Sequence, residues 1–190
     1  EYKADVRNEK VILFFGYIRK YKGLNYLIDA MPEILKRTDL KLLVVGEFYD
    51  DENKYREQIR NLKLEDHIKV ISDFVPDMNV RYFFSASDVV VLPYADATQS
   101  GIIQIAYHYD KPVIATDVGG LAEVVRNNET GFIIEPKSSK AVADAVIKFY
   151  ESKLEAKFSK NAAEEKKKFT WEKFTAEISE MVSNKKIINN

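Results

Sequence analysis

Short apolar segments recur along this chain at intervals that suit strands separated by helices. Most of them are continuous rather than alternating, and continuous apolar runs are typical of strands buried on both faces of a parallel sheet. The runs are Val11 to Phe15, Leu40 to Val45, Ile68 to Ile71, Val89 to Leu92, Val113 to Ala115 and Phe132 to Ile134. The pattern therefore predicts a sheet of about six buried strands.

Helical periodicity occupies the segments between these runs. The predicted helices are Gly23 to Arg37, Asp51 to Leu62, Pro76 to Ala86 and Ser138 to Tyr150. In the second of them, Tyr55, Ile59 and Leu62 face inward. Strands that alternate with helices assemble into βαβ units with right-handed crossovers. We therefore expect an α/β fold, a Rossmann-like doubly wound parallel sheet with helices on both faces and the strand order 3-2-1-4-5-6.

The character of the chain changes near both ends, which sets the predicted domain limits. Residues 1–10 are polar and are interpreted as a linker from a missing N-terminal domain. Residues 11–152 form the predicted Rossmann-like domain, and residues 153–190 form the predicted C-terminal helices. An apolar stripe in the last helix packs either on this domain or on a neighbouring one. The stripe consists of Trp171, Phe174, Ile178 and Met181.

Charge and cysteine content narrow the classes of function. The 190 residues include 29 basic and 30 acidic side chains, which give a formal net charge of -1. Proteins that bind nucleic acid usually carry a clear basic excess, so we expect no nucleic-acid partner. The absence of cysteine excludes disulfides and zinc–thiolate sites. No apolar stretch approaches the roughly 20 residues of a transmembrane helix.

Ligands of an open α/β sheet bind beyond the carboxyl ends of the strands, where the strand order reverses. In the expected order this point lies between strands 1 and 4. The loop after strand 1 places Arg19, Lys20 and Lys22 between Gly16 and Gly23. Arginine and lysine bind phosphate oxygens, and glycine permits unusual backbone angles. The loop is therefore a candidate phosphate site, although a basic turn that faces solvent is an equal interpretation.

The loop after strand 4 ends in Gln99, Ser100 and Gly101 and leads into a helix. Small polar residues at a helix start leave backbone N–H groups and the positive end of the helix dipole free for an anion. The simpler interpretation is a helix N-cap at Thr98 or Ser100. Because this loop faces the basic loop across the predicted crevice, the two together predict a diphosphate site.

A third loop follows strand 5 and carries paired glycines. Gly119 and Gly120 permit close approach of the backbone to a ligand. Glu123 lies in the first turn of the next helix. It either binds a ligand hydroxyl or only supports the helix N-terminus, and the sequence leaves both interpretations open.

Several motifs occur in a fixed order along the chain. They are Lys22-Gly23, Val44 to Glu47, Ala86 to Asp88, Leu92-Pro93, and Lys111 to Leu121 with Glu123. Together they resemble the donor-binding half of family 4 glycosyltransferases over about Val11 to Tyr150. The resemblance implies a GT-B enzyme of two Rossmann-like domains that uses a nucleotide-diphosphate sugar and retains anomeric configuration. It also implies that protein cations, with no metal and no cofactor, stabilise the leaving diphosphate, and that Lys22 is the phosphate-binding lysine.

The resemblance assigns candidate contacts to individual residues. We expect the donor diphosphate to contact Gly16, Arg19, Lys22, Gly23, Gln99, Ser100 and Gly101. We expect the sugar or nucleoside to contact Gln104, Gly119, Gly120 and Glu123. The family has an arginine where this chain has Tyr17, so Arg19 is the candidate substitute. It also has two glutamates where this chain has Ala97 and Ile105, with Gln104 beside the second.

The predicted function is the donor-binding half of a hexosyltransferase-type enzyme that adds a sugar to a glycan or lipid-linked acceptor in surface polysaccharide synthesis. The acceptor-side catalytic groups would lie in the missing N-terminal domain, the expected partner, so we expect this chain alone to be inactive. The expected location is the cytoplasm, with the full-length protein peripheral at the inner face of the membrane. The alternatives are a nucleotide-sugar epimerase, a glycogen-synthase-like enzyme and a non-catalytic flavodoxin-like module. A receiver module of that last class needs an acidic cluster at the ends of strands 1 and 3, whereas this chain has Arg19, Lys20 and Lys22 after strand 1.

Overall fold

A computed structural model describes residues 9–169, together with the single residues 175 and 179. The strands in this part of the chain are β1 Val11–Phe15, β2 Lys41–Val45, β3 Ile68–Ile71, β4 Val89–Leu92, β5 Val113–Thr116 and β6 Gly131–Ile134. They form one sheet of the order β3-β2-β1-β4-β5-β6, and every neighbouring pair is parallel. The predicted fold class and strand order are therefore confirmed.

Helices follow the strands, as the periodicity predicts. They are α1 Leu24–Leu35, α2 Glu52–Asn61, α3 Asp77–Ala86, α4 Gly101–His108, α5 Leu121–Val124, α6 Ser139–Glu151 and α7 Glu155–Glu165. Asp51 caps α2 by accepting a hydrogen bond from the Asn53 amide, and Ser138 caps α6 in the same way from the Ala141 amide. The prediction that Leu62 faces inward is wrong, because α2 ends one residue earlier and Leu62 is exposed. Among the helices that the structure describes, none is long and apolar enough to cross a bilayer.

The sheet is buried on both faces, which explains why its strands are continuous apolar runs. Ile12 and Phe14 of β1 belong to one core with α1, α2 and α6. Leu13 belongs to the other core, which is formed with α3, α4 and α5. Because helices cover both faces, the side chains available to a ligand come from the loops at the strand ends.

The helix α7 packs on this body rather than away from it. Phe158 and Ala162 are buried in opposite cores. A 3₁₀ turn, Lys166–Phe169, follows α7. The predicted stripe from Trp171 to Met181 and the linker residues 1–8 lie outside the described residues, and the domain limits stay predictions.

Candidate functional site

The loops after β1 and β4 lie side by side at the point where the strand order reverses. The Ala95 amide donates a hydrogen bond of 2.7 Å to the Tyr21 carbonyl, which joins the two loops. At Gly23 the φ angle is +69°, and a Cβ atom there would lie 1.9 Å from the Pro93 carbonyl oxygen. Only glycine fits such a position. The structure thus brings together the two loops that the sequence singles out.

The α4 cleft, a cavity of about 480 Å³, opens between these loops and the start of α4. Four of the predicted diphosphate contacts line it, namely Lys22, Gln99, Ser100 and Gly101. Ile102 and Ile105 form its apolar wall. Of the other predicted contacts, Gly16 lies outside this cleft and Gly23 is buried beneath the loop contact.

The start of α4 has no side-chain cap. Ser100 occupies the N-cap position, but its hydroxyl makes no hydrogen bond to the helix and lies 3.3 Å from the Tyr94 hydroxyl instead. Burial raises the pKa of Tyr94 to about 12, so this phenol is protonated at neutral pH. The Ile103 amide donates to the Ser100 carbonyl at 3.3 Å, so the amides before it and the positive end of the helix dipole are the groups open to an anion in the α4 cleft.

Lys22 is the cation that faces the α4 cleft. Its ammonium group lies 5.6 Å from the centroid of the Tyr94 ring. Among the described residues no carboxylate is paired with it. Burial, and then the charge of Arg19, lower the pKa of Lys22 below the usual lysine value. An anion that enters the cleft would stabilise this partly buried, unpaired cation.

A smaller cavity of about 230 Å³, the β3 cleft, adjoins the α4 cleft. Lys22, Ile102 and Ile105 line both clefts, so an elongated ligand can occupy the two with its anionic part beside Lys22. The remaining wall of the β3 cleft includes Gly16, Phe15, Tyr17, Phe74 and Val75. Sequence reasoning missed the loop after β3. The signal in the sequence was an aromatic residue, Phe74, close to the end of a strand, and the structure shows that its side chain is exposed.

The paired glycines after β5 pack against the loop after β4. Gly119 has a φ of +50°, and a Cβ atom there would lie 2.0 Å from the Ala97 carbonyl oxygen. The Gly120 amide donates to the Thr98 carbonyl at 2.7 Å, and a Cβ atom on Gly120 would lie 2.4 Å from the Gln99 side chain. In this structure the two glycines hold in place the loop that forms the α4 cleft.

Two predicted polar contacts lie away from these clefts. Gln104 and Glu123 are exposed on α4 and α5, and neither lines the α4 cleft or the β3 cleft. Their contacts with the sugar or nucleoside stay predictions. Ile105, where the resembling family has a glutamate, contributes only apolar surface between the two clefts.

Arg19 lies on the other side of the 3₁₀ turn Lys20–Lys22. Its guanidinium lies over the Tyr49 ring, 4.7 Å from the centroid, and Tyr17 meets the same ring edge-on at 5.1 Å. Arg19 lines a third cavity, the α2 cleft of about 920 Å³ beside α1 and α2. Its role as a diphosphate ligand stays a prediction, and it requires the side chain to leave Tyr49 and turn towards Lys22.

Comparison with known protein sequences places the chain among glycosyltransferases. The family model described as glycosyl transferases group 1 matches residues 3–186. An uncharacterised glycosyltransferase of Methanocaldococcus jannaschii is 32% identical over 136 residues, which cover 72% of this chain and 34% of that protein. The chain spans between 34% and 47% of the length of the curated relatives compared.

Solved structures are similar over most of the chain. The C-terminal domain of the group 1 glycosyltransferase LpcC from Francisella tularensis is 28% identical with a TM-score of 0.74, over 82% of this chain and 83% of that one. Anabaena HepE, solved in complex with UDP and glucose, is 26% identical with a TM-score of 0.80, over 95% of this chain and 50% of that one. The chain thus matches an isolated C-terminal domain and about half of a longer protein.

Proposed function

Since this chain belongs to the group 1 glycosyltransferases and matches the C-terminal half of their GT-B fold, we propose that it binds the nucleotide-sugar donor of a retaining, metal-independent transferase. The observation that carries this proposal is the position of Lys22, a cation with no carboxylate partner in the described part of the chain, between the mainly apolar β3 cleft and the more polar α4 cleft. A nucleotide sugar has the same order of chemistry, with a flat base, an anionic diphosphate and a hydroxyl-rich ring.

The order of the two clefts around Lys22 therefore suggests how the donor is oriented. The diphosphate lies beside Lys22 and the first amides of α4, where a cation and a helix N-terminus meet. The nucleoside occupies the β3 cleft, against Phe15 and Phe74. Glu47 and Asp73 also line that cleft, and their carboxylates accept hydrogen bonds from ribose hydroxyls. The sugar then lies in the α4 cleft.

In the proposed reaction the bond between the anomeric carbon and the diphosphate breaks, and the nucleoside diphosphate leaves with the bonding electrons. The acceptor hydroxyl oxygen bonds to the same carbon on the face that the diphosphate leaves, and its proton is released. Lys22 and the α4 amides stabilise the charge that develops on the leaving diphosphate. The complex of HepE with UDP and glucose supports a UDP-sugar as the donor.

In this proposal the groups that bind and activate the acceptor do not belong to this chain. The chain spans less than half of the length of its curated relatives, so we assign the acceptor-side groups to an N-terminal domain and expect the chain alone to be inactive. The proposed acceptor is a glycan or a lipid-linked glycan of surface polysaccharide synthesis. The proposed location is the cytoplasm, at the inner face of the membrane.

The test is a calorimetric titration of the chain with UDP and with GDP, each with and without magnesium. Lys22→Ala is the test variant, and Lys20→Ala is its control because Lys20 has the same charge and lies on the other side of the same turn. Charge-assisted hydrogen bonds contribute about 1.5–3 kcal/mol, so Lys22→Ala should weaken UDP binding by about 10- to 100-fold.

Lys20→Ala should leave UDP binding unchanged, and magnesium should make no difference in any of the proteins. Circular dichroism establishes that each variant is folded before it is titrated. Absence of UDP and GDP binding by the folded chain would overturn the proposal. An equal loss in the two lysine variants would overturn the position assigned to the diphosphate.

A further inference from the structure

The α2 cleft is larger than both donor clefts, at about 920 Å³, and the proposed donor leaves it unused. It opens at the carboxyl ends of the strands, like the α4 cleft, but on the other side of the turn Lys20–Lys22. Tyr21 and Asp96 line both the α2 cleft and the α4 cleft. A ligand in the α2 cleft therefore reaches the place where the donor sugar is proposed to lie.

Positive charges converge on this cleft from separate parts of the chain. Its lining holds four cations, Arg19, Lys20, Lys54 and Lys137, against three carboxylates, those of Asp50, Asp51 and Asp96. The cations come from the loop after β1, from α2 and from the turn before α6. In the part of the chain that the structure describes, none of the four is paired with a carboxylate. Because the cations outnumber the carboxylates and are not ion-paired with them, the cleft favours an anionic ligand.

The same cleft has surfaces suited to sugar rings. Tyr49 is 56% exposed and Tyr21 is 44% exposed. Arg19 lies over the Tyr49 ring and Tyr17 meets its edge, so the ring is held in one orientation. Asn25 and Asp50 line the cleft as well and offer partners for hydroxyl groups. An aromatic face with amide and carboxylate groups beside it binds a ring that carries both C–H faces and hydroxyls.

We propose that the α2 cleft binds an anionic oligosaccharide. A sugar ring packs on Tyr49, the acidic groups pair with Lys54 and Lys137, and one end of the chain extends past Tyr21 to the donor sugar. The identification of this oligosaccharide as the acceptor rests on the proposed function, whereas the binding site itself does not. A free phosphate would use the cations alone and would leave the hydroxyl-binding groups without a role, and a nucleotide is the alternative occupant that the experiment tests.

The experiment titrates the 190-residue chain with three probes. They are a tetrasaccharide of alternating glucuronic acid and N-acetylglucosamine, the neutral maltotetraose, and UDP. The test variants are Tyr49→Ala and the double variant Lys54→Gln with Lys137→Gln. The control is Lys69→Gln with Lys160→Gln, which makes the same change in net charge at exposed positions away from the cleft. All five altered side chains are exposed, and circular dichroism checks the fold of each variant.

The acidic tetrasaccharide should bind the unaltered chain and the control equally. The double variant Lys54→Gln with Lys137→Gln loses two charge-assisted contacts, so its affinity for the acidic tetrasaccharide should fall by at least about tenfold. Tyr49→Ala should lower this affinity as well. UDP binding should be unchanged in the Lys54 and Lys137 double variant and in the control. Equal binding of the neutral tetrasaccharide, or an equal loss in the control, would overturn the proposal.

The two proposals fail in different ways. Binding of UDP without binding of the acidic tetrasaccharide overturns the α2 site and leaves the donor site supported. Binding of the acidic tetrasaccharide without binding of UDP or GDP overturns the donor site and leaves the α2 site supported. Loss of UDP binding in the Lys54 and Lys137 variant would assign the α2 cleft to the nucleotide, and would overturn the oligosaccharide proposal.

Discussion

The ammonium group of Lys22 lies 5.6 Å from the centroid of the Tyr94 ring, beside the junction of the loops after β1 and β4. Burial changes the acidity of both side chains, because it disfavours whichever form carries charge. It lowers the pKa of Lys22 and raises the pKa of Tyr94 to about 12. In the unliganded chain the positive charge of Lys22 is therefore partly desolvated and has no anion beside it among the described residues. This charge should lower the free energy of unfolding.

Replacing Lys22 with methionine is expected to stabilise the unliganded chain at neutral pH. The pKa of Lys22 is lower in the folded state than its ordinary value of 10.5. At a pH between these two values, the Lys22 amine therefore binds a proton more often in the unfolded chain than in the folded one. The free energy of unfolding of the unaltered chain therefore rises with pH across this window. Urea denaturation of the unaltered chain and of Lys22→Met across this pH range measures the free energy of unfolding of each. The advantage of methionine should shrink as pH rises, and a constant difference would contradict the assignment to Lys22.

Gly23→Ala should destabilise the chain strongly, whereas Gly101→Ala should not. A Cβ atom on Gly23 meets the Pro93 carbonyl oxygen at 1.9 Å, and one on Gly101 meets nothing within 4 Å. We expect Gly23→Ala to cost more than about 2 kcal/mol, since the left-handed backbone and the backbone clash add together. Gly101→Ala should stay within about 0.5 kcal/mol. Urea denaturation compares the two, and similar costs would contradict the close contact of the loops.

Tyr17→Arg should tighten the binding of UDP. Tyr17 is half exposed and lines the β3 cleft together with Lys22, so an arginine there adds a cation without disturbing the core. One charge-assisted contact corresponds to about tenfold in affinity, or about 1.4 kcal/mol. Calorimetry at low and at high salt measures the gain, which salt should reduce. Tyr17→Met is the uncharged control, and an equal gain with methionine would show that the tyrosine ring only obstructs the cleft.

Thr130→Val should destabilise the chain more than Tyr107→Phe. The hydroxyls of these two buried residues lie 2.7 Å apart, and the Arg126 amide donates to the same threonine oxygen at 2.9 Å. Tyr107→Phe leaves that second bond in place, removes the bond to Thr130 together with a long one of 3.3 Å to the Val124 carbonyl, and should cost about 1 kcal/mol. Thr130→Val also leaves the Arg126 amide without its acceptor and should cost about 2–3 kcal/mol. Chemical denaturation of both variants gives the order, and the reverse order would contradict this network.

The fold was predictable because strands that are buried on both faces of a sheet are continuous apolar runs in the sequence. A run such as Val11–Phe15 is buried throughout, and continuous apolar runs between amphipathic helices leave few topologies open. The strand order in turn located the loops that form the α4 cleft. Both inferences depend on properties that each segment has by itself, before any contact between distant segments is known.

The remaining features of the site depend on contacts between distant segments. The sequence shows Arg19 and Lys22 in one basic loop, but a 3₁₀ turn places them in different clefts. It shows Gly119 as a position whose backbone a ligand can approach, but it does not show that the Ala97 carbonyl lies where a Cβ atom of this residue would be. The β3 cleft was missed because Phe74 becomes part of a site only through the approach of Lys22 and α4.

The contacts at Gly23 and Gly119 have a consequence for the kinetics and entropy of recognition. The backbone of Gly23 contacts that of the loop after β4, and so does the backbone of Gly119 in the loop after β5. The hydrogen bond from the Ala95 amide to the Tyr21 carbonyl is a further contact between the loops after β4 and β1. A site whose main chain is already fixed loses little conformational entropy when a ligand arrives. We therefore expect free and UDP-bound forms of this chain to share one backbone, with adaptation confined to rotamers such as that of Arg19. Association should accordingly be a single bimolecular step, with no slow rearrangement after it.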